Sequence, residues 1–156
     1  GIHGRALTIA TGVRLARPDL KVIVTMGDGD CFSIGGNHWL HAIRYNFDAV
    51  VLVLDNEVYA LTKMQVSPTS PAGTKTNTTP HGTYLQPMNP LGVVVGMTNV
   101  SFVAQSATWL PSHLDETIER DPPVARVSLH VTAHVRQCTD RLDWPRRPNR
   151  TAPAVV

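Results

Sequence analysis

Two short apolar runs, each followed by a polar turn, dominate the first half of the chain. Val22–Met26 leads into Gly-Asp-Gly-Asp at 27–30, and Val50–Leu54 leads into Asp-Asn-Glu-Val-Tyr at 55–59. Short β-branched runs that end at Gly, Asp or Asn are typical of fully buried strands in a parallel sheet. Because a helix-length segment at 33–46 separates them, the pattern predicts a βαβ unit.

The rest of the chain predicts helices, one more strand and a long polar segment. Apolar residues at helical spacing indicate a helix over residues 4–17. Asn89 and Pro90 open a predicted short helix, which a strand at 100–104 and a helix at 109–120 follow. We interpret the segment 57–90, rich in Pro, Ser, Thr and Gly, as a functional lid or a subunit contact. The predicted fold class is α/β, a parallel sheet flanked by helices.

The two polar turns place candidate metal ligands at one edge of this sheet. Both turns follow the carboxyl ends of parallel strands, where open α/β sheets bind their ligands. Asp28 and Asn56 would each offer a hard oxygen there, and the carbonyl of Val58 could supply a third. Mg²⁺ takes such oxygens and usually shares them with a phosphate. Gly27 and Gly29 would let backbone N–H groups approach that anion closely.

A less specific interpretation is that the turn between a strand and a helix simply favours Gly and Asp. The Asp-Asn pair after the next strand weakens this interpretation. Two other phosphate motifs do not fit the sequence: a dinucleotide fingerprint needs Gly where Phe32 stands, and no Gly-Lys-Ser/Thr of a P-loop occurs.

Length and composition add few constraints. The 156 residues suffice for one domain with a sizeable core. A formal net charge of +2 favours neither nucleic acid nor a membrane as a partner. No run reaches the roughly 18 apolar residues of a transmembrane helix. The two Cys are far apart and form no disulfide framework, so we expect a cytoplasmic protein without a signal peptide.

At this point the motifs resemble a known family. Gly-Asp-Gly followed about thirty residues later by Asn resembles the thiamine-diphosphate motif, and further segments resemble the β subunit of 2-oxoacid:ferredoxin oxidoreductases. The segments that carry the resemblance are Gly1–Ala6, Gly27–Asp30, Ile34–His38, Asp55–Lys63, Ser67–Pro71, Lys75–Pro80 and Pro87–Pro90. The resemblance covers roughly residues 1–119 and implies the thiamine-diphosphate-binding fold, of which this sequence would hold the diphosphate-binding domain.

The resemblance also implies roles for individual residues. It places the cofactor beside His3, Gly4, Arg5, Ala6, Gly27, Gly29, Asp30, Ala60 and Leu61, and Mg²⁺ on Asp28, Asn56 and the carbonyl of Val58. Lys63 matches a Lys on the substrate side, the alternative being a solvated surface amine. The alternative for His3 and Arg5 is an ordinary helix start. This chain has Met64 where the family usually has Gly, which matters if the backbone there has a positive φ.

The activity implied is oxidative decarboxylation of a 2-oxoacid, of the pyruvate or 2-oxoglutarate type, to acyl-CoA with ferredoxin as electron acceptor. The implied cofactors are thiamine diphosphate and Mg²⁺, with a [4Fe-4S] cluster in the intact subunit. The implied partners are an α subunit, ferredoxin, the 2-oxoacid and coenzyme A. The Glu that activates the cofactor would come from the other subunit, so we interpret Glu57 as a solvated turn residue. The alternatives are another thiamine enzyme, a decarboxylase or synthase, and a non-catalytic truncated gene product.

Both ends of the chain depart from the family pattern. Residue 1 is Gly inside a motif, so we expect a fragment, incomplete at the N-terminus and inactive on its own. We predict a partial thiamine-diphosphate-binding domain at 1–120 and a divergent Arg- and Pro-rich tail at 121–156, which a frameshift would explain. A strand is still predicted at 127–131. Cys138 stands near the position of a cluster-ligating Cys, but its neighbours do not match. A basic tail that contacts nucleic acid or a partner is the alternative.

Three further side chains could bind metal or react. His38 and His41 are three residues apart and share a helix face, as a transition-metal pair would. No third ligand is evident in the sequence, so we interpret them as ordinary histidines. We interpret Cys31 as a small buried hydrophobic residue rather than a reactive thiol.

Overall fold

A computed structural model describes residues 2–98, 100–119 and 128–129. In chain order the elements are α1 Ala6–Ala16, β1 Ile23–Gly27, a π-helix Gly29–Ile34, α2 Gly36–Tyr45, β2 Val50–Leu54, β3 Val58–Tyr59, β4 Gln65–Val66, α3 Pro90–Val95, β5 Phe102–Val103, α4 Pro111–Glu119 and β6 Ser128–Leu129. Among these residues no helix is both long and apolar enough to cross a membrane.

Four strands form one parallel sheet in the order β1-β2-β6-β5, which confirms the predicted α/β class. In the register of the first pair, Ile23 lies opposite Val50 and Gly27 lies opposite Leu54. Both strands therefore end level with each other. The strand predicted at 127–131 is found at Ser128–Leu129. Cys138 and most of the predicted tail lie outside the described residues.

The core packs against one face of the sheet. Its largest fully buried side chains are Trp39, Leu7, Ile43, Val51, Val53, Val94 and Cys31. The expectation of strands buried on both faces is wrong for β1, where burial alternates and Ile23 is 65% exposed. The core residues of β1 are Val24 and Met26, which alternate with the exposed Ile23 and Thr25.

Helix α1 lies at Ala6–Ala16, within the predicted 4–17. Leu7 and Ala10 are buried, whereas Ile9 and Leu15 are exposed. Helix α3 begins as predicted, with the side chain of Asn89 accepting a hydrogen bond from the N–H of Gly92 at 3.1 Å. Such a cap satisfies one of the free N–H groups of the first turn.

The crossover between β1 and β2 is not one helix over 33–46. A π-helix occupies Gly29–Ile34, and α2 follows at Gly36–Tyr45 with Asn46 at φ 47° ending it. Gly35 joins the two helices. A side chain would not fit at this position, because a Cβ there would lie only 2.6 Å from the carbonyl oxygen of Asp30. The helical part of the crossover therefore begins directly after Asp28, at Gly29, seven residues before α2 begins at Gly36.

Candidate functional site

Two buried carboxylates meet where β1 and β2 end. Asp28 follows β1 and is 2% exposed, and Asp55 follows β2 and is 5% exposed. The hydroxyl Oγ1 of Thr69 lies 3.0 Å from Oδ2 of Asp28 and 2.7 Å from Oδ1 of Asp55. One hydroxyl thus bridges both turns, which confirms that the two polar turns share one edge of the sheet.

The turn after β2 is held by its own side chains. Oδ1 of Asp55 accepts a hydrogen bond from the N–H of Glu57 at 2.9 Å, and Oδ1 of Asn56 accepts one from the N–H of Val58 at 3.2 Å. Glu57 has a left-handed backbone with φ 61°. This geometry brings the Asn56 amide next to the backbone of Val58. Because an amide oxygen has two lone pairs, Asn56 could also bind a cation, which stays a prediction.

The two glycines of the first turn have different surroundings. A Cβ added to Gly27 would meet nothing within 4 Å, whereas a Cβ on Gly29 would lie 2.2 Å from the ring of Tyr59. The Tyr59 hydroxyl also donates a hydrogen bond to the carbonyl of Gly29 at 3.0 Å. Gly27 therefore leaves open space beside the backbone, while Gly29 makes room for an aromatic ring.

The N-terminal residues placed by the resemblance contact the first turn. Oδ1 of Asp30 accepts a hydrogen bond from the N–H of Gly4 at 2.6 Å and lies 3.2 Å from Nδ1 of His3. Gly4 has φ 71°, and a Cβ there would lie 2.6 Å from the backbone of Ile34. Arg5 is exposed, and Ala6 packs against the core. The structure thus joins His3 and Gly4 to Asp30, with Arg5 and Ala6 directly after them.

Ala60 and Leu61, predicted beside the cofactor, lie at the β3–β4 hairpin together with Lys63, which was predicted on the substrate side. Leu61 is 92% exposed, Ala60 is half-buried and Lys63 is exposed. Lys63 and Met64 have φ values of 76° and 65°, the left-handed region that favours glycine. The backbone at Met64 is therefore the kind that a family glycine would suit. The backbone carbonyl of Lys63 accepts a hydrogen bond from the side-chain amide of Asn77 at 3.4 Å.

The surroundings of the remaining candidates, Cys31 and His41, indicate structural roles. Cys31 is fully buried, which confirms its predicted role, and burial followed by the charges of Asp30 and Asp28 raises the pKa of its thiol. His41 stacks on Tyr45 with ring centroids 6.0 Å apart. Within the described ranges, no group of three or more His, Cys, Asp and Glu side chains could hold a metal ion.

Three residues of this site, Asp55, Tyr59 and Thr69, were not among the predicted site residues. Asp55 stands in the Asp-Asn pair but was not predicted as a site residue, and Tyr59 and Thr69 were only parts of longer segments. Thr69 lies 41 residues from Asp28 in the chain. The one available signal was the Ser-Pro-Thr-Ser run at 67–70, unusually rich in hydroxyls for a loop.

The parallel sheet with its two polar turns at one edge is an α/β domain with a candidate ligand site at the carboxyl ends of its strands. Residues 1–126 match the family described as thiamine pyrophosphate enzyme, C-terminal TPP binding domain, and the chain belongs to that family. This finding confirms the predicted fold, and the relatives confirm the resemblance to the β subunits of 2-oxoacid oxidoreductases.

Three relatives illustrate the similarity. The chain is 42% identical to the 2-oxoglutarate synthase subunit KorB of Archaeoglobus fulgidus, over 75% of this chain and 45% of the relative. It is 53% identical to the 2-oxoglutarate oxidoreductase subunit KorB of Mycobacterium tuberculosis, over 61% of this chain and 26% of the relative. The structure of the 2-oxoglutarate:ferredoxin oxidoreductase from Magnetococcus marinus with 2-oxoglutarate, coenzyme A and succinyl-CoA bound has a TM-score of 0.76 and 41% identity, over 84% of this chain and 44% of that one. The chain spans less than half the length of these relatives.

Proposed function

We propose that this chain binds thiamine diphosphate and Mg²⁺ as part of the β subunit of a 2-oxoacid:ferredoxin oxidoreductase. The observation that carries the proposal is the pair of buried carboxylates, Asp28 and Asp55, bridged by Thr69 at the carboxyl edge of the sheet. The proposed partners are an α subunit, ferredoxin, coenzyme A and a 2-oxoacid. The names of the three relatives favour 2-oxoglutarate over pyruvate.

The charges of this site fit a bound cation. Two buried carboxylates share one hydroxyl, which has a single proton to donate. Burying like charges together is costly unless a positive charge or a proton compensates for one of them. Asp28, Asn56 and the carbonyl of Val58 offer the hard oxygens that Mg²⁺ prefers. Oδ2 of Asp28 contacts Thr69, so Oδ1 is the oxygen we assign to the cation.

The residues of this chain would bind and orient the cofactor. When bound, thiamine diphosphate supplies the nucleophilic carbon that attacks the carbonyl of a 2-oxoacid. Asp28 and Asn56 would hold the Mg²⁺ that accompanies the diphosphate, and the open space at Gly27 would admit the anion close to the backbone. Asp30 fixes His3 and Gly4 beside the same turn. Lys63 would lie on the substrate side, and the activating Glu would come from the α subunit.

Replacing Asp28 with Asn tests the cofactor site. The change keeps the shape of the side chain but removes its negative charge from the ion. We expect Mg²⁺-dependent binding of thiamine diphosphate to weaken at least tenfold, about 1.4 kcal/mol. The assay is calorimetric titration of the chain in complex with the α subunit from the same organism, with Mg²⁺ present and then chelated.

A matched control is Asp115→Asn, which removes an exposed carboxylate from α4 and should leave binding unchanged. Equal affinities of wild type and Asp28→Asn in Mg²⁺ would exclude Asp28 as a ligand. A wild-type complex that binds no thiamine diphosphate would refute the proposal as a whole and favour a non-catalytic gene product.

A further inference from the structure

A cluster of three buried hydroxyls lies directly beside the carboxylate pair. Ser67, Thr69 and Ser70, hereafter the hydroxyl cluster, are 4%, 6% and 2% exposed. They belong to the long polar segment that follows β4, far from Asp28 in the sequence. Buried hydroxyls need hydrogen-bond partners, because leaving one unpaired in the interior destabilises the fold. The partners of this cluster are therefore informative about its role.

The hydroxyl cluster is connected to both predicted ligand-bearing turns. Thr69 contacts Asp28 and Asp55, and Oγ of Ser67 lies 3.2 Å from Oγ1 of Thr69. Ser70 donates a hydrogen bond to the carbonyl of Glu57, the residue before Val58. The N–H of Ser67 donates to Oγ of Ser70 at 2.8 Å, which closes the cluster on itself. The cluster thus holds Asp28 on one side and the turn before Val58 on the other.

The protons of the cluster cannot satisfy both carboxylates at once. The Thr69 hydroxyl has one proton, and an ionised carboxylate has only acceptor oxygens. Asp55 is the nearer acceptor at 2.7 Å and also receives the N–H of Glu57. Because Asp55 keeps the N–H of Glu57, the Thr69 proton can be donated to Oδ2 of Asp28 at 3.0 Å without leaving either carboxylate without a donor. Ser67 can in turn donate to Thr69.

We infer that Thr69 is a positioning residue for the cation: its hydroxyl fixes Asp28 against Asp55, so that the free carboxylate oxygen of Asp28 faces the ion. The inference rests on the proposed function and adds to it a residue to which no role in this site was assigned. It also explains why a loop residue this far along the chain is buried between two charged side chains. Thr69 contacts neither the substrate nor the reacting atoms in this role.

The test measures Mn²⁺ affinity by electron paramagnetic resonance, with thiamine diphosphate present, for the complex with the α subunit. Mn²⁺ reports on the site because it takes the same octahedral oxygen ligands as Mg²⁺. Thr69→Val keeps the shape and removes the hydroxyl, and we expect it to weaken Mn²⁺ binding about tenfold. Thr69→Ser restores a hydroxyl and should bind within about threefold of wild type. Thr74→Val removes another buried hydroxyl of the same segment, one that donates to the carbonyl of Pro71, and should bind as wild type does.

A double-mutant cycle separates positioning from general support of the fold. If Thr69 acts through Asp28, then Asp28→Asn with Thr69→Val should bind Mn²⁺ no more weakly than Asp28→Asn alone. Additive losses, or wild-type affinity in Thr69→Val, would overturn the inference while leaving the proposed function intact. Absence of Mn²⁺ binding by the wild-type complex would overturn both. Thr69→Ala carries the same expectations and replaces Thr69→Val if that variant does not fold.

Discussion

Replacing Gly29 with Ala should lower the free energy of unfolding by about 2–4 kcal/mol. A Cβ at this position would lie 2.2 Å from Cε1 and 2.4 Å from Cζ of Tyr59, well inside contact distance. The ring must therefore move away and lose the hydrogen bond that Tyr59 donates to the Gly29 carbonyl. Losing the bond costs about 1 kcal/mol, and forcing a carbon into a packed site costs about 1–3 kcal/mol more.

The assay is equilibrium denaturation followed by circular dichroism, where this loss corresponds to a fall in Tm of about 5–15 °C. Gly27→Ala is the matched control, because its Cβ would meet nothing within 4 Å and stability should change by less than about 0.5 kcal/mol. In a Tyr59→Ala background, Gly29→Ala should cost less than about 1 kcal/mol, since the ring is gone. The steric argument would be refuted if Gly29→Ala unfolded with the same free energy as wild type. It would also be refuted if the substitution cost the full penalty of about 2–4 kcal/mol in the Tyr59→Ala background.

Three further outcomes can be checked on the same protein. Met64→Gly should stabilise the fold by about 0.5–1 kcal/mol, because φ 65° strains a non-glycine residue, and a lower denaturant midpoint would contradict this. Val53→Ala, at a fully buried position, should cost about 2 kcal/mol, whereas Ile23→Ala, 65% exposed, should change unfolding by less than about 0.5 kcal/mol. Since burial raises the pKa of the Cys31 thiol, little thiolate forms at pH 8, and dithionitrobenzoate should modify Cys31 only in denaturant, as mass spectrometry would show.

The apolar runs predicted the centre of the fold well because their signal is local. Val50–Leu54 matches β2 residue for residue, and β1 differs from its run by one position. The polar residues directly after each run then had to share an edge once the strands paired in parallel. The meeting of the two polar turns could therefore be predicted from these two segments alone.

The parts that the sequence did not predict depend on contacts between distant segments. The π-helix at Gly29–Ile34 forms where Gly4 packs on Ile34 and Tyr59 packs on Gly29, and neither neighbour leaves a periodic pattern. Thr69 reaches Asp28 across a turn-rich segment whose path no local propensity fixes. Leu15 is apolar but exposed, because residue type alone does not say which face a neighbouring element covers.

The strand order has a consequence for how the polypeptide folds during synthesis. β6 lies between β2 and β5, yet it begins 74 residues after β2 ends (128 − 54). At roughly 5–20 residues per second, the ribosome needs about 4–15 s to make that intervening stretch. During this interval the edge of β2 that later pairs with β6 presents unpaired N–H and C=O groups, which can pair with other nascent chains. The β1–β2 unit can form early, but β2 and β5 can be joined only after β6 is made. Chaperone contacts with the nascent chain should therefore persist until residue 129 has left the exit tunnel.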